Sequence, residues 1–359
     1  MPSVTDLRLP LAAALVAAAV VIALPAFGDE GDDDAPPIPL EPVAPHPSLA
    51  LEPLPGADQI DCARCHAEIV AEWATTQHAH AWIAPWFQDE IAKKRRPESC
   101  TGCHAPVGLL TVDPARFGRK PATRDDADEP LVHGITCRSC HEDADGAMHG
   151  PFGGDGDGGD AATSSVHASV RDERFIGAGS DALCVTCHAT TVGPVIGIAK
   201  DHQLARLSER GLTCVGCHMR PVERRIASDP DAPDAYPVRK GRSHRLQTPR
   251  DPGFLAASFE LTAHGDEAGS ALRIKNLAGH RVPGLEGRRI EFFVEALDAS
   301  GEVVAEAAHA LETTTYLPLE GAVDVRLASP AASLRVRGEH RAMGTDGGLV
   351  FLERTIPLP

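Results

Sequence analysis

The chain has 359 residues, a net charge of −17 and few aromatic side chains, with three Trp, two Tyr and ten Phe. The acidic balance excludes a nucleic-acid-binding protein, which needs a basic footprint. A protein partner that docks by charge is expected to present a basic face, although solubility alone explains an acidic surface equally well.

The N-terminus has the features of an export signal. Arg8 precedes an apolar run from Leu9 to Phe27, and Ala26-Phe27-Gly28 offers small residues around a cleavage point. The run is also just long enough to span a membrane, so residues 1–28 are predicted to be a cleaved signal peptide or an N-terminal anchor. Either outcome places the rest outside the cytoplasmic membrane, in the periplasm. Residues 29–56 are acidic and rich in proline, which predicts an extended linker.

Five copies of Cys-x-x-Cys-His follow the linker and use all ten cysteines of the chain. They are Cys62–Cys65–His66, Cys100–Cys103–His104, Cys137–Cys140–His141, Cys184–Cys187–His188 and Cys214–Cys217–His218. A lone Cys-x-x-Cys also fits a redox disulfide or half of a zinc site, but neither needs the histidine that follows each pair. The complete pattern is the attachment signature of c-type haem, in which both thiols bind the porphyrin and the histidine is the proximal ligand of iron. The sequence therefore predicts five covalently bound haems.

Residues 57–250 are predicted to form a pentahaem cytochrome c domain, mostly α-helical or irregular, in which the haems replace much of a side-chain core. Ile69, Val70 and Trp73 recur at helical spacing, so a helix is expected to leave the first motif. Lys93–Arg96 are expected to close a helical stretch, or else to pair with haem propionates or a partner. Gly150–Asp160 read as a flexible loop whose aspartates do not complete a calcium-binding pattern.

The composition and the hydrophobic pattern of the sequence change after residue 250. Residues 251–359 contain no cysteine, and apolar and polar residues alternate in short runs between turn residues. The runs begin at Ser258, Ala271, Ile290, Val303, Val323 and Leu334. About a hundred residues of this kind predict a small all-β, sandwich-like domain.

The second axial ligand of each haem distinguishes an electron carrier from a catalyst. Methionine is scarce, with Met148, Met219 and Met343 beyond the initiator, and Met219 lies too close to His218 to reach the opposite face of that haem. Twelve histidines lie outside the motifs, enough to supply a second imidazole to every iron. Counting does not show which of them are ligands.

The haem region resembles the multihaem c-type cytochromes related to the tetrahaem electron acceptor of ammonia oxidisers and to the hydroxylamine oxidoreductase group. Trp73 followed by Thr76-Gln-His78-Ala79 is similar to that family's Trp and Ser-x-His-Ala, with Thr in place of Ser. His149-Gly-Pro-Phe152, His167-Ala-Ser169 and Ser243-His244-Arg245 look like further ligand segments. The resemblance implies distal ligands at His78, His149, His167 and His244, with His80 and His133 as runners-up.

A separate match lies in the β-rich part. Asn276-Leu-Ala-Gly-His280-Arg-Val-Pro-Gly284 resembles the Gly-His-x-x-Pro-Thr-Gly element of multihaem proteins with an appended β-domain, although the Thr is missing. The resemblance implies that His280 is the fifth candidate distal ligand. The alternative is a histidine in a β-turn with no metal.

Two functions remain open from the sequence. The first is an electron carrier with mainly bis-histidine haems, passing electrons between redox partners such as other cytochromes, a quinol-linked complex or a terminal reductase. The alternative is a reductase or oxidase of a small nitrogen or sulfur compound such as nitrite, hydroxylamine or tetrathionate, which needs one haem with an open iron. No separate catalytic motif is present. A third role, in which the sandwich-like domain acts as a scaffold that docks a partner, is compatible with the electron carrier.

Overall fold

The computed structural model describes residues 51–96, 100–106, 108–111, 134–153, 167–190, 197–228, 231, 236–284, 287–342 and 347–358. The predicted signal or anchor, nearly all of the linker, His133 and most of the Gly150–Asp160 loop lie outside these residues. Within them, no helix is long and apolar enough to cross a membrane.

Short helices make up most of the haem region. The α-helices are α1 (Ala67–Ala74), α2 (Pro85–Ala92), α3 (Thr101–His104), α4 (Cys137–His141), α5 (Ala182–His188), α6 (Ala199–Leu204) and α7 (Cys214–His218). Single 3₁₀ turns span Ala57–Gln59, Asp61–Arg64, Leu109–Thr111, Glu173–Phe175, Gly177–Asp181 and Ser208–Arg210. The predicted helix after the first motif is α1, and Lys93 caps the C-terminal end of α2 as expected.

Each of the last four Cys-x-x-Cys-His motifs ends a helix at its histidine. The first motif begins in the 3₁₀ turn Asp61–Arg64, and its histidine, His66, directly precedes α1. Two of the motif helices begin with a threonine cap. Thr136 accepts a hydrogen bond from the Ser139 backbone at the start of α4, and Thr213 accepts one from Gly216 at the start of α7. The caps satisfy backbone N–H groups that the first turn leaves free, and so fix these very short helices in place.

The haem region also contains two small sheets that the sequence pattern does not predict. Strands β1 (Met148–Gly150) and β2 (Ser169–Arg171) pair in parallel, and β3 (Pro221–Arg225) pairs antiparallel with β4 (Val238–Arg242). Strands β1 and β2 have three residues each, too few to show alternation in the sequence.

The region after residue 250 is β-rich, as predicted. Helix α8 (Pro252–Ala257) leads into β5 (Phe259–Asp266), β6 (Gly269–Asn276), β7 (Arg289–Leu297), β8 (Val303–Leu311), β9 (Ala322–Leu327), β10 (Ser333–Arg341) and β11 (Leu349–Pro357). All pairs are antiparallel, in one sheet of order β5-β6-β9 and another of order β11-β10-β7-β8. Alternation in the sequence predicts six of these strands but not β11.

The two larger sheets enclose one hydrophobic core. Ile274 of β6, Phe292 of β7 and Val336 of β10 are fully buried in it, and Leu255 of α8 joins them. The described part of the haem region has only small apolar clusters, the largest built around Val70 and Trp73 of α1. This contrast fits a region whose interior is completed by a group other than side chains.

Candidate haem-binding sites

Four of the five motif histidines are oriented by a backbone carbonyl. The Nδ1 atoms of His66, His104, His141 and His218 donate to the carbonyls of Ile226, Ala81, His149 and Gln247, at 2.5, 2.8, 2.7 and 2.7 Å respectively. Donation from Nδ1 fixes the tautomer and leaves Nε2 as the ligand atom. Within the described residues His188 makes no such bond.

Four motif histidines each face a second imidazole at nearly the same distance. The pairs and their ring-centre separations are His66–His167 at 6.5 Å, His78–His188 at 6.2 Å, His141–His244 at 6.1 Å and His218–His280 at 6.4 Å. The rings are inclined to each other by 12 to 36°. Each pair joins a motif histidine to one of the spare histidines that the resemblance singled out.

These separations fit an iron between the rings. A metal lies about 2 Å from an imidazole nitrogen, so two imidazoles on opposite sides of one metal hold their ring centres about 6 Å apart. Rings in direct face-to-face contact would be much closer. Desolvation lowers the pKa of His78 to about 4 and that of His188 to about 3, so both are neutral near pH 7, the form that binds metal.

His104 differs from the other four motif histidines. Within the described part of the chain no second imidazole faces it at this distance. Its ring instead stacks flat on Phe87, with centres 3.7 Å apart and planes 9° apart. Because this contact covers a ring face, it fixes the imidazole's rotation but leaves the Nε2 edge free. Phe175 stacks in the same way, at 4.8 Å, on His141, whose opposite imidazole is present.

The structure places His149 apart from the four pairs. Its Nδ1 is 2.7 Å from Asp172 and its Nε2 is 2.8 Å from Asp143, so carboxylates engage both ring nitrogens. Hydrogen bonding by Arg174 holds the pKa of Asp172 well below its usual range, which keeps that carboxylate charged. The backbone carbonyl of His149 accepts the hydrogen bond from His141 and so supports the third motif. The role of His149 as a distal haem ligand stays a prediction.

Local side-chain bonds explain how the segment Thr76–Ala79 presents His78. The Thr76 hydroxyl donates to the Trp73 carbonyl at 2.7 Å and accepts from the Ala79 backbone N–H at 3.2 Å. A hydroxyl in this position closes a tight turn at the end of α1. Serine can make the same bonds, so the replacement of Ser by Thr keeps the turn.

Trp73 ties this turn to the approach of the third motif. Its indole N–H donates to the Ile135 carbonyl at 2.8 Å, and the Ile135 N–H donates to the His78 carbonyl at 3.0 Å. Gly134, with φ of 63°, passes so close that a Cβ there would lie 2.6 Å from the His78 carbonyl oxygen. Only glycine permits this approach.

The turn that presents His280 is built around Asn276. This buried side chain donates to the carbonyls of His280, Leu317 and Pro318 and accepts from the Ala278 N–H at 2.8 Å. The neighbouring Arg281 pairs with Asp201 of α6, with two contacts of 2.6 Å. The segment is therefore anchored both within the β-rich region and to the haem region.

Glu72 of α1 holds His244, which faces the third motif histidine. It accepts from the His244 backbone N–H at 2.7 Å and forms a two-point pair with Arg224 at 2.9 Å. Burial alone would raise the pKa of Glu72, but these bonds outweigh it and the pKa lies below its usual value. The sequence pattern gives no sign of this role for Glu72, because Arg224 and His244 both lie more than 150 residues away from it in the chain.

Thiols of different motifs lie close together. Neighbouring thiols shift each other's pKa, so Cys62 lies beside Cys137, Cys103 beside Cys187 and Cys184 beside Cys214. The first motif thus adjoins the third, the second adjoins the fourth, and the fourth adjoins the fifth. The fourth motif is shared by two of these contacts.

One group in the described part of the chain has metal-ligand character of another kind: Asp181, His202 and Cys214. Asp181 accepts from the Cys214 backbone N–H at 2.7 Å and from the Ser208 hydroxyl at 2.5 Å, and His202 lies 2.7 Å from the Leu212 carbonyl. These bonds fix the start of α7. Asp181 therefore supports the fifth motif, a role that its sequence context did not reveal.

Comparison with known proteins agrees with this architecture. Residues 61–142, which contain the first three motifs, match the family described as cytochrome c554 and c-prime. A penta-haem cytochrome c552 from Thermochromatium tepidum matches 85% of this chain and 100% of its own with a TM-score of 0.54 and 18% identity. No curated protein matches. The chain therefore has a multihaem c-type cytochrome fold.

Proposed function

We propose that this chain is an extracytoplasmic pentahaem c-type cytochrome that carries electrons between redox partners. The observation that carries the proposal is the set of four imidazole pairs, each spaced for one iron and each containing a motif histidine. Bound haem supplies one-electron chemistry, in which the iron alternates between the ferric and ferrous states.

The chain's own residues bring the five attachment motifs together. The neighbouring thiols link the first motif to the third, and they link the fourth motif to both the second and the fifth. The Cys140 thiol also lies near Cys184, which links the third motif to the fourth. All five motifs are thereby linked through neighbours. At the four irons that have two imidazoles, other ligands would be excluded, as an electron carrier requires.

Two measurements on the purified protein test this proposal. The pyridine haemochrome spectrum is expected to give five haems per chain, and electron paramagnetic resonance of the oxidised protein is expected to show at least four low-spin haems. Fewer than five haems would contradict the count. A majority of high-spin signals would contradict the imidazole pairs.

A second candidate function rests on His104. Because no second imidazole faces it among the described residues, this motif supports a haem with an open iron position and a reductase or oxidase of a small nitrogen or sulfur compound. Nitrite, hydroxylamine and tetrathionate are the compounds to test. A high-spin signal that changes with one of them, together with turnover, would favour the enzyme. An unchanged, fully low-spin spectrum would favour the carrier alone.

The proposed location and partners follow from the sequence. Residues 1–28 act as a cleaved signal or an anchor, and covalent haem attachment takes place outside the bacterial cytoplasmic membrane. With a net charge of −17 before any haem carboxylate is counted, the chain is suited to a redox partner with a basic docking face. Association should weaken steeply as the salt concentration rises.

A further inference from the structure

A cluster of three basic side chains lies at one end of the sandwich. His340 of β10 pairs with Ile290 of β7, whose side chain is buried in the core, and Arg288 precedes Ile290 by two residues. Paired residues share a face of a sheet and side chains alternate along a strand, so Arg288 and His340 lie on the same inner face. Arg250, just before α8, is close enough for its charge to act on both. We call Arg250, Arg288 and His340 the basic cluster.

Two members of the basic cluster, His340 and Arg288, are buried without an acidic partner among the described residues. His340 is 2% exposed, and within the described residues neither of its ring nitrogens has a hydrogen-bond partner. The Arg288 guanidinium likewise forms no hydrogen bond or ion pair with a described residue. Burial lowers the pKa of Arg288 to about 10, with a contribution from Arg250, so Arg288 remains charged at neutral pH. Buried groups of this kind normally pair with an anion.

The basic cluster faces the fourth motif. The charge of Arg288 acts on His188. Arg250 lines a cleft of about 420 Å³ together with Thr76 and Gln77, which directly precede His78. Both guanidinium groups therefore lie near the His78–His188 pair. Among the described residues, neither imidazole of this pair donates a hydrogen bond to a backbone carbonyl.

We infer that Arg250, Arg288 and His340 bind the propionate carboxylates of the haem attached at Cys184 and Cys187. Guanidinium groups match carboxylates in geometry and charge, and a neutral imidazole has one N–H to donate. The inference rests on the proposed haem attachment. Under this inference the β-rich region has a second role besides presenting His280. Its basic side chains neutralise the propionates of the haem at the fourth motif, which adjoins both the second and the fifth motifs.

The inference is tested by comparing the holoprotein with its Arg288→Gln variant. A spectroscopic redox titration measures the reduction potential of each haem in both proteins. Loss of the guanidinium leaves a negative charge beside the iron, which favours the ferric state. The potential of one haem is expected to fall while the other four stay unchanged, and Arg250→Gln should shift the same haem. His78→Ala identifies that haem, because it removes the same low-spin signal.

Matched variants separate charge from damage to the fold. Arg288→Lys should restore most of the potential. Arg335→Gln, on the outer face of β10 where Arg335 pairs with Glu295, should change nothing. Five unchanged potentials in Arg288→Gln, or an equal shift in Arg335→Gln, would overturn the inference.

Added acetate or nitrite distinguishes the source of the anion. A potential that changes with added anion in the wild type but not in Arg288→Gln would show a site for free anions and would also overturn the inference. A pyridine haemochrome count below five in the wild type would instead overturn the proposed function, so the two failures are distinguishable.

Discussion

His218 and His280 face each other with ring centres 6.4 Å apart and planes 12° apart, although one ends the fifth attachment motif and the other lies in a turn of the β-rich region. Their Nδ1 atoms lie 2.7 Å from the Gln247 carbonyl and 2.8 Å from the Arg281 carbonyl. This arrangement leaves both Nε2 atoms available for one iron, as the proposed function requires, and in that proposal His280 of the β-rich region is the second ligand.

Replacement of His280 by Ala is expected to convert one low-spin haem to high spin, because His218 would then be the single imidazole on that iron. Electron paramagnetic resonance of the oxidised variant measures this change. His264→Ala is the control, since His264 is exposed on β5. An unchanged low-spin spectrum in His280→Ala would show that His280 is a turn histidine.

Replacement of Thr76 by Ala is expected to loosen the turn that presents His78. The variant loses the hydroxyl that bonds to Trp73 and Ala79, at a cost of about 1 kcal/mol in the free energy of unfolding. Thermal unfolding and the low-spin signal of this haem measure the effect. Thr76→Ser should behave like the wild type.

Thr75 provides a neighbouring control for this experiment. Its hydroxyl donates to the Glu72 carbonyl at the end of α1, and among the described residues it makes no hydrogen bond to His78 or Ala79. If Thr75→Ala affected the His78 haem as much as Thr76→Ala does, the proposed role of the Thr76 hydroxyl would be wrong.

Replacement of His149 by Ala is expected to leave all low-spin haem signals in place, because Asp143 and Asp172 engage both of its ring nitrogens. The backbone carbonyl that accepts from His141 remains in the variant. Loss of one low-spin signal would instead support His149 as a distal ligand, in line with the resemblance that first suggested it.

Replacement of Glu72 by Gln is expected to lower the free energy of unfolding by roughly 1–3 kcal/mol at neutral pH, because it removes a partly buried charge that holds Arg224 and His244. The folded-state pKa of Glu72 is depressed, so its stabilisation is present above the ordinary glutamate pKa near 4.5 and is lost as pH falls through the folded value. The difference between wild type and variant should therefore shrink in acid.

Chemical denaturation at several pH values measures this difference. Glu68→Gln is the matched control on the same helix, because the Glu68 side chain is 77% exposed and lies 4.0 Å from Arg224. An equal loss of stability in both variants, or a difference that does not change with pH, would show that the Glu72 charge does not act in this way.

Local chemistry made parts of the molecule predictable. The motif histidines, the first helix after Cys62–His66 and six of the β-strands depend on spacing and alternation, which the sequence displays directly. Strand β11 was missed, although it has nine residues, because its buried residues do not alternate regularly with exposed ones. The small sheet β1–β2 joins strands that are too short to recognise without their partners.

The sequence by itself determined what the chain can hold, because two cysteines and a histidine at fixed spacing meet the covalent requirements of haem attachment without any distant residue. Only the tertiary structure decided which spare histidine faces which motif, why His149 and His104 differ from the paired histidines, and that Arg288 lies near His340. Those relationships join residues far apart in the chain, and their distances depend on packing rather than on sequence spacing.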